Sequence, residues 1–457
     1  MSISMPCVAM RKEQVRTSVS IVPLPFSYRA ALIILFVGSG LIPAMNFLNL
    51  RWSLGIPGII TDRATLLVCL PAFCIGIKDY LNYGGFAKSP PIVFTLVWIA
   101  ATVLWVDPTE RGRSLVCVVT LLVTIPICAF VRATDAFGKS ARYFGISFLC
   151  GMIAVQLSSP VFVGRWGDFA VGDQVVMNSN EIGFICAIVA ILIYAAWQEG
   201  FAASQKSSSH PWIFPAVCGT TACAFAAMTV SRSAGASLAV ASFGIWFHHA
   251  RRSVGMIIMT PILIGMLGVG IFTLGIADHW LERLNDSDTS TLNGRTEIWD
   301  AIAAVQRRLG LNCVWGLGCA GIDKALGEEL GGVVHPIDGI QRMHSHNMYL
   351  ELAVELGLVG IFLVGTLSIS MLRAAMALGR RDNTPWRSLL LLCIAVFSAA
   401  GVPTKVGCFP AIGALVLAAL SPATRRSADV DRRLSPHFKV GSRHAQRENY
   451  IRLRECR

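Results

Sequence analysis

Residues 114–131 read SLVCVVTLLVTIPICAFV, eighteen residues without a charged side chain. A helix of about 20 mostly apolar residues can cross the hydrocarbon core of a bilayer. The 457-residue chain repeats this pattern: hydrophobic types make up 54% of it and charged types only 14%, and the mean hydropathy is +0.60. Ordinary soluble domains carry about 25% charged residues. The composition therefore excludes a soluble enzyme, a disordered chain and a secreted disulfide scaffold, and predicts an all-α polytopic membrane protein.

Twelve apolar runs are candidate transmembrane helices. They are residues 30–50, 64–77, 90–106, 114–131, 143–163, 181–197, 212–230, 234–247, 255–276, 348–372, 388–402 and 407–420. The chain thus divides into a tail (1–29), helices one to nine (30–276), a long loop (277–347), helices ten to twelve (348–420) and a basic tail (421–457).

Lysine and arginine predict the orientation of these spans, because cytoplasmic loops of membrane proteins are enriched in both. With a cytoplasmic N-terminus, the inner segments hold 26 Lys and Arg residues and the outer segments hold 13. Both termini are therefore expected in the cytoplasm. The net charge of +12 is concentrated in the tails. Since no basic face interleaved with aromatic residues accompanies it, nucleic acid is not an expected partner.

The loop at 277–347 is 71 residues long and faces outward on this topology. Loops of such length are usually functional. Apolar residues recur every three or four positions in 296–309, which predicts a helix ending before Gly310. A tight glycine turn is expected at Gly316–Gly321 (GLGCAG). The loop is therefore expected to form a partly helical extracytoplasmic cap.

Three polar positions on the outer side are candidates for chemistry. Arg232, between Ser231 and Ser233, interrupts two apolar runs. An arginine there either snorkels to the interface or binds an anion, since a guanidinium offers a planar fork that matches phosphate oxygens. Arg295 opens the predicted loop helix, either as a surface residue or held near the head groups by Trp299.

His344 and His346 precede the tenth span, and Glu351 and Glu355 follow them at helical spacing. Histidine is the usual side chain for accepting a proton near neutral pH. Hydrogen-bonded polar residues at a helix start are the simpler interpretation. A metal site is a weaker one, because carboxylate and cysteine ligands are missing at a convincing spacing. Two arginines and a histidine on one side of a membrane could hold a lipid diphosphate and deprotonate a sugar hydroxyl.

Several segments together resemble the bacterial O-antigen ligase and polysaccharide polymerase family, including Wzy-type and rhizobial exopolysaccharide polymerases. The similar segments span roughly residues 164–372. They are Asn178–Gly183 (NSNEIG), Ser231–Ala234 (SRSA), Asn293–Trp299 (NGRTEIW), Gly316–Gly321, and His344–Gly357 (HSHNMYLELAVELG) followed by Gly360. Ser179 departs from the family pattern, in which proline is common at that position.

The resemblance implies a GT-C-like membrane fold of about twelve helices, with the loop over a lipid-facing cavity. It also implies a metal-independent glycosyltransferase without a cofactor. The enzyme would lie in the bacterial inner membrane and move glycan from undecaprenyl diphosphate to an acceptor glycan on the periplasmic side. The expected partners are the lipid-linked oligosaccharide, the acceptor, the bilayer, and other proteins of polysaccharide export and chain-length control.

When the functional residues of the family are carried over to the matching positions, the resemblance implies that Arg232 and Arg295 bind the diphosphate and that His346 is catalytic. Ser231, His344 and Asn347 are expected to contact the substrate beside them. His344 is a second candidate for the catalytic role, ranked lower because Asn347 directly follows His346 as in the family.

Polymerisation of exopolysaccharide or O-antigen repeats is the favoured function, and ligation of O-antigen to lipid A core is the first alternative. A lipid-linked glycan transporter or flippase and a non-catalytic assembly partner are the others. Many transporters show matched halves. The long loop here lies between spans nine and ten instead, which argues against that class.

Overall fold

Helices dominate the described part of the chain, because in lipid a helix satisfies its backbone hydrogen bonds internally. The computed structural model describes residues 25–52, 58–83, 88–134, 137–158, 169–171, 174–177, 179–203, 213–229, 231–250, 295–331, 333–334, 340–399, 401 and 409–421. The helices before the long loop are α1 (Phe26–Trp52), α2 (Gly58–Tyr83), α3 (Pro90–Thr102), α4 (Arg111–Ala133), α5 (Phe137–Ser158), α6 (Ser179–Ala203), α7 (Ile213–Met228) and α8 (Arg232–Ala250). Those in and after it are α9 (Arg295–Leu309), α10 (Ile322–Leu330), α11 (Met348–Glu355), α12 (Gly357–Asp382), α13 (Trp386–Ser398) and α14 (Phe409–Ala419), with a 3-10 helix at Gly310–Val314.

Two short antiparallel ladders accompany the helices in the described part of the chain. β1 (Phe169–Val171) pairs with β2 (Gln174–Met177), and β3 (Val333–Val334) pairs with β4 (Gln341–Arg342). Both are too short to form a sheet core, so the predicted all-α class describes the packed part of the molecule.

Within the described residues, six helices are long and apolar enough to cross a membrane, which makes the chain a polytopic membrane protein. They are Phe26–Phe47, Ala64–Leu81, Arg111–Ala133, Phe137–Ser158, Asn180–Gln198 and Gly357–Asp382. Five further apolar helices are 10–17 residues long, shorter than the roughly 20 residues that a full crossing needs. The predicted span 255–276 lies outside the described residues. Twelve crossings and a GT-C-like arrangement therefore remain predictions.

Helix α6 lies at the centre of the bundle, packed against α5, α7, α8 and α13. Its side chains between Ile182 and Ala196 are almost all buried. By contrast, α12 exposes large apolar side chains, with Phe362 73% and Leu358 57% accessible. An apolar helix surface of this size is stable in contact with lipid and costly in water. Helix α6 is thus a span that packs against protein, whereas α12 is a span whose exposed surface faces lipid.

The loop segment forms a small hydrophobic core of its own. Ala301, Ile302 and Val305 of α9 pack against Ile322 and Leu326 of α10, and Val354 of α11 joins them. Ile298 and Leu309 pack at the edge of this core. The predicted helix and its apolar stripe are confirmed, with the helix beginning one residue earlier, at Arg295.

The predicted tenth span is divided in two. The helix that begins at Met348 ends at Glu355, and α12 begins at Gly357, whose φ is +65°. The N–H groups of Leu317 and Gly318 donate to the carbonyls of Val354 and Glu355, both at 2.9 Å. These bonds satisfy helix-end carbonyls that a continuous helix would satisfy itself. Because the glycine turn docks there, the membrane helix starts nine residues later than the predicted 348.

Candidate functional site

The start of α11 is a hydrogen-bonded cap. Oδ1 of Asn347 accepts from the N–H groups of Tyr349 (3.0 Å) and Leu350 (3.1 Å). The hydroxyl of Ser345 donates to Oε2 of Glu351 at 2.7 Å, and it accepts from the N–H of Asn347 at 3.2 Å. Ser345 and Glu351 are buried. This is the usual chemistry of a helix N-terminus. Asn347 therefore has a structural role, and its contact with substrate remains a prediction.

His346 adopts a left-handed backbone conformation, with φ at +52°. For a residue with a Cβ this conformation costs about 1–3 kcal/mol, and such strain is concentrated at functional sites. Its ring meets the ring of His344 edge-on, with centroids 6.4 Å apart. The two histidines thus lie side by side at the start of α11, with His346 half-buried.

His344 contacts a charge network with two buried carboxylates that the sequence did not reveal. Its Nδ1 lies 3.3 Å from Oδ1 of Asp323, and Oδ2 of Asp323 lies 2.7 Å from Nη2 of Arg113. Nη1 of Arg113 in turn lies 3.0 Å from Oε2 of Glu110. Both carboxylates have no exposed side-chain surface. The guanidinium therefore compensates two buried negative charges, as buried carboxylates require.

The network combines an ion pair between residues close together in the sequence with a contact between residues far apart in it. Glu110 and Arg113 are three residues apart at the start of α4, a spacing that favours an ion pair. Asp323 follows 210 residues after Arg113. The sequence around Asp323, in the loop helix, therefore does not predict that its partner lies in a membrane span.

Ser231 caps the start of α8 and links it to α6. Its hydroxyl donates to Oδ1 of Asn180 at 2.7 Å and accepts from the N–H of Ala234 at 3.3 Å. Gly183 packs so closely that an added Cβ would clash with the Cβ of Ala234. The NSNEIG and SRSA segments therefore meet in space. Arg232 is the first residue of α8, and its side chain lies outside the described part of the structure.

The start of α8 and the start of α11 meet the same end of α13. Helices α8 and α13 are antiparallel, since Gly244 lies against Leu389 while the hydroxyl of Ser237 lies 3.4 Å from the carbonyl of Cys393. Continuing this register carries the start of α8 toward the end of α13.

The first residues of α11 dock at that end. The N–H of Met348 donates to the carbonyl of Gly401 at 3.2 Å, and the hydroxyl of Tyr349 donates to the carbonyl of Ala395 at 2.9 Å. The ring of Phe184, in α6, stacks on Phe397 at 4.1 Å. The starts of α6, α8 and α11 thus converge on one end of α13.

Arg295 is half-buried at the first position of α9, which packs against α11. The 3-10 helix that follows α9 contacts Gly357, just beyond the end of α11. Because α9 and α11 end at a common junction, their first turns both lie away from it. That Arg295 and His346 belong to one site for the lipid diphosphate remains a prediction.

This arrangement is a membrane-embedded helical bundle with a polar cluster where several helices begin. Residues 216–365 match the family model described as O-Antigen ligase. The resemblance to O-antigen ligases and Wzy-type proteins is therefore confirmed over that segment. The segment contains all six of the predicted site residues, Ser231, Arg232, Arg295, His344, His346 and Asn347. None of the curated proteins matches the chain.

Proposed function

We propose that the protein is an inner-membrane glycosyltransferase that moves glycan from undecaprenyl diphosphate to a sugar hydroxyl, polymerising exopolysaccharide or O-antigen repeat units. The observation that carries the proposal is the convergence of the starts of α6, α8 and α11 within a chain whose residues 216–365 match the O-antigen ligase model. The family match supports a membrane enzyme of O-antigen or polysaccharide processing. The donor, acceptor and residue roles are our proposal.

In the proposed reaction, Arg232 and Arg295 bind the diphosphate and stabilise the charge that grows as the glycosidic bond to it breaks. Arg232 opens α8, where helix N–H groups add to an anion site. Two guanidinium groups supply this positive charge from the protein's own side chains.

His346 accepts the proton of the acceptor hydroxyl while that oxygen attacks the anomeric carbon. The glycosidic oxygen leaves with the diphosphate, so the configuration at the anomeric carbon inverts. His344 lies beside it with Nδ1 directed at Asp323, which fixes the second imidazole at the site. In this proposal His346 is the general base and His344 contacts the substrate.

The ligase alternative is supported by the description of the family model itself. It shares the donor and differs in the acceptor, which would be lipid A core instead of another lipid-linked repeat. Both reactions would use the same two arginines and histidine.

The test is complementation of a deletion strain with Arg232→Ala, Arg295→Ala and His346→Ala variants, with surface polysaccharide separated on gels and protein amount measured. Arg307→Ala is the matched control for Arg295→Ala, because Arg307 is exposed near the other end of α9. Single lipid-linked repeats that accumulate with each of the three variants support the polymerase.

Full-length polymer that stays on its lipid carrier supports the ligase. Repeats trapped on the cytoplasmic face support the flippase alternative. Normal polymer from all three variants, at normal protein levels, would contradict the proposal.

A further inference from the structure

A groove separate from the histidine cluster lies between the α3–α4 connection, the 3-10 helix and α10. Its volume is about 680 Å³. Two tryptophans and four polar side chains line it, namely Trp105, Trp315, Asp107, Asn312, Lys324 and Glu328. We call it the tryptophan groove.

The two tryptophans present exposed ring surface and are held by a third. Trp315 is 53% exposed and Trp105 38% exposed. The ring of Trp98 lies 5.8 Å from Trp315 and 5.5 Å from Trp105, and its Nε1–H donates to the carbonyl of Leu356 at 3.0 Å. Because Trp98 is fixed at the break between α11 and α12, the two exposed rings are pre-organised. Rigid aromatic surfaces bind ligands at a low cost in conformational entropy.

The polar side of the groove carries two carboxylates and one ammonium group. Nζ of Lys324 lies 2.8 Å from Oδ2 of Asp107 and 3.7 Å from Oε1 of Glu328. Hydrogen bonds from Lys324 and Thr109 lower the pKa of Asp107 to about 2. Asp107 is therefore ionised at neutral pH, and its carboxylate can accept hydrogen bonds from hydroxyl groups.

This charge balance selects among ligands. Carboxylates outnumber the ammonium among the charged side chains that line the groove, which disfavours phosphates, anionic lipid head groups and acidic sugars. A neutral sugar fits both halves of the site, since its apolar ring face can lie on indole and its hydroxyls can donate to carboxylates.

The groove adjoins the histidine cluster through one helix. Asp323, which binds His344, and Lys324, which lines the groove, are consecutive residues on α10. A glycan seated on the tryptophans would thus lie on the neighbouring face of the helix that orients His344.

We propose that the tryptophan groove binds a neutral segment of the glycan chain, with sugar faces on Trp105 and Trp315 and hydroxyls donated to Asp107 and Glu328. The proposal rests on the proposed function for its ligand class. The competing occupant is the lipid interface, where tryptophans also concentrate, and where Leu104 and Leu311 (77% and 90% exposed) would insert.

The experiment measures binding of the full chain, in lipid nanodiscs, to a surface array of neutral and uronic-acid oligosaccharides without any lipid-linked donor. We expect binding to neutral members, weakened about tenfold by Trp315→Ala, as loss of one aromatic contact implies. Trp315→Phe keeps a ring and retains binding to within about threefold of wild type. Leu311→Ala, at a position that is more exposed than Trp315 but lies outside the groove, leaves binding unchanged.

Two results would overturn the proposal. One is that no neutral oligosaccharide binds the wild type above the level of a Trp105→Ala/Trp315→Ala variant with an unchanged melting temperature. The other is that Leu311→Ala and Trp315→Ala weaken binding equally, which identifies the surface as a membrane contact. Either result leaves the glycosyl-transfer proposal standing, because that is tested in cells by Arg232, Arg295 and His346.

Discussion

The Nδ1 atom of His344 lies 3.3 Å from Oδ1 of Asp323, a carboxylate without exposed surface, although the imidazole itself is 54% exposed. Asp323 also pairs with Arg113 at the start of α4. Asp323 therefore links a loop histidine to the start of a membrane helix.

Removing the guanidinium at the centre of this network should destabilise the protein. Arg113→Met leaves the buried carboxylates of Glu110 and Asp323 without that cation, which we expect to cost about 2 kcal/mol, since the arginine is partly exposed. The measurement is thermal unfolding of the purified protein in detergent. Arg307→Met, at an exposed position of α9, should be neutral. Equal melting temperatures for the two variants would show that the network contributes nothing to stability.

The junction between the loop and α12 should tolerate no side chain larger than hydrogen. Gly316 and Gly357 have φ values of +77° and +65°, and an added Cβ on either would clash with backbone atoms of the facing segment. We expect Gly316→Ala and Gly357→Ala each to lower the free energy of unfolding by about 2 kcal/mol or more.

Gly365 provides the matched control for the two glycine variants. It is a helical glycine of α12, and the space that a Cβ would occupy there is open. Gly365→Ala should be neutral or stabilising by up to about 1 kcal/mol. A Gly357→Ala protein as stable as Gly365→Ala would contradict the described junction.

Substitution of Asn347 can separate its capping role from a role in binding substrate. Asn347→Ala removes the acceptor for two N–H groups and should cost about 1 kcal/mol. Asn347→Asp keeps the acceptor and should restore the melting temperature. If the residue acts only as a cap, Asn347→Asp also restores polysaccharide synthesis. A stable but inactive Asn347→Asp protein would instead indicate that the amide N–H groups contact substrate.

The contact between Asp107 and Lys324 should be insensitive to pH over the physiological range. The pKa of Asp107 is lowered to about 2 by hydrogen bonds from Lys324 and Thr109. Its stabilisation is therefore fully present above about pH 4, the ordinary aspartate value, and is lost as the pH falls through 2.

The measurement compares the wild type with Asp107→Asn between pH 3 and 8. Because the pair is exposed, the difference in unfolding free energy should stay below about 1 kcal/mol. It should be constant from about pH 5 to 8 and should shrink only below about pH 4. A difference that changes between pH 5 and 8 would show that another group titrates with this contact.

Local sequence patterns predicted much of the helical architecture. Apolar runs identified the helices, and the spacing of Ile298, Ile302, Val305 and Leu309 identified α9 and its packed face. The glycine turn at Gly316–Gly321 was equally readable, because glycines mark positions where φ is positive. Each of these features depends on residues that lie close together in the sequence.

The features that the sequence did not predict depend on contacts between distant segments. The apolar pattern continues from Met348 through Gly357, so the break there is visible only when the glycine turn docks on Val354 and Glu355. Asp323 looks like a surface acid of an amphipathic helix until Arg113 is placed beside it. Long-range pairing of this kind leaves no periodic signal in a single sequence.

The most direct measurement is glycan transfer by the purified protein in liposomes that carry a polyprenyl-diphosphate-linked oligosaccharide as donor and acceptor. We predict that the wild type forms products longer by whole repeat units and releases polyprenyl diphosphate. The folded His346→Ala protein should be slower by a factor on the order of 100 or more. Transfer by His346→Ala at the wild-type rate would contradict the assignment of this histidine as the base.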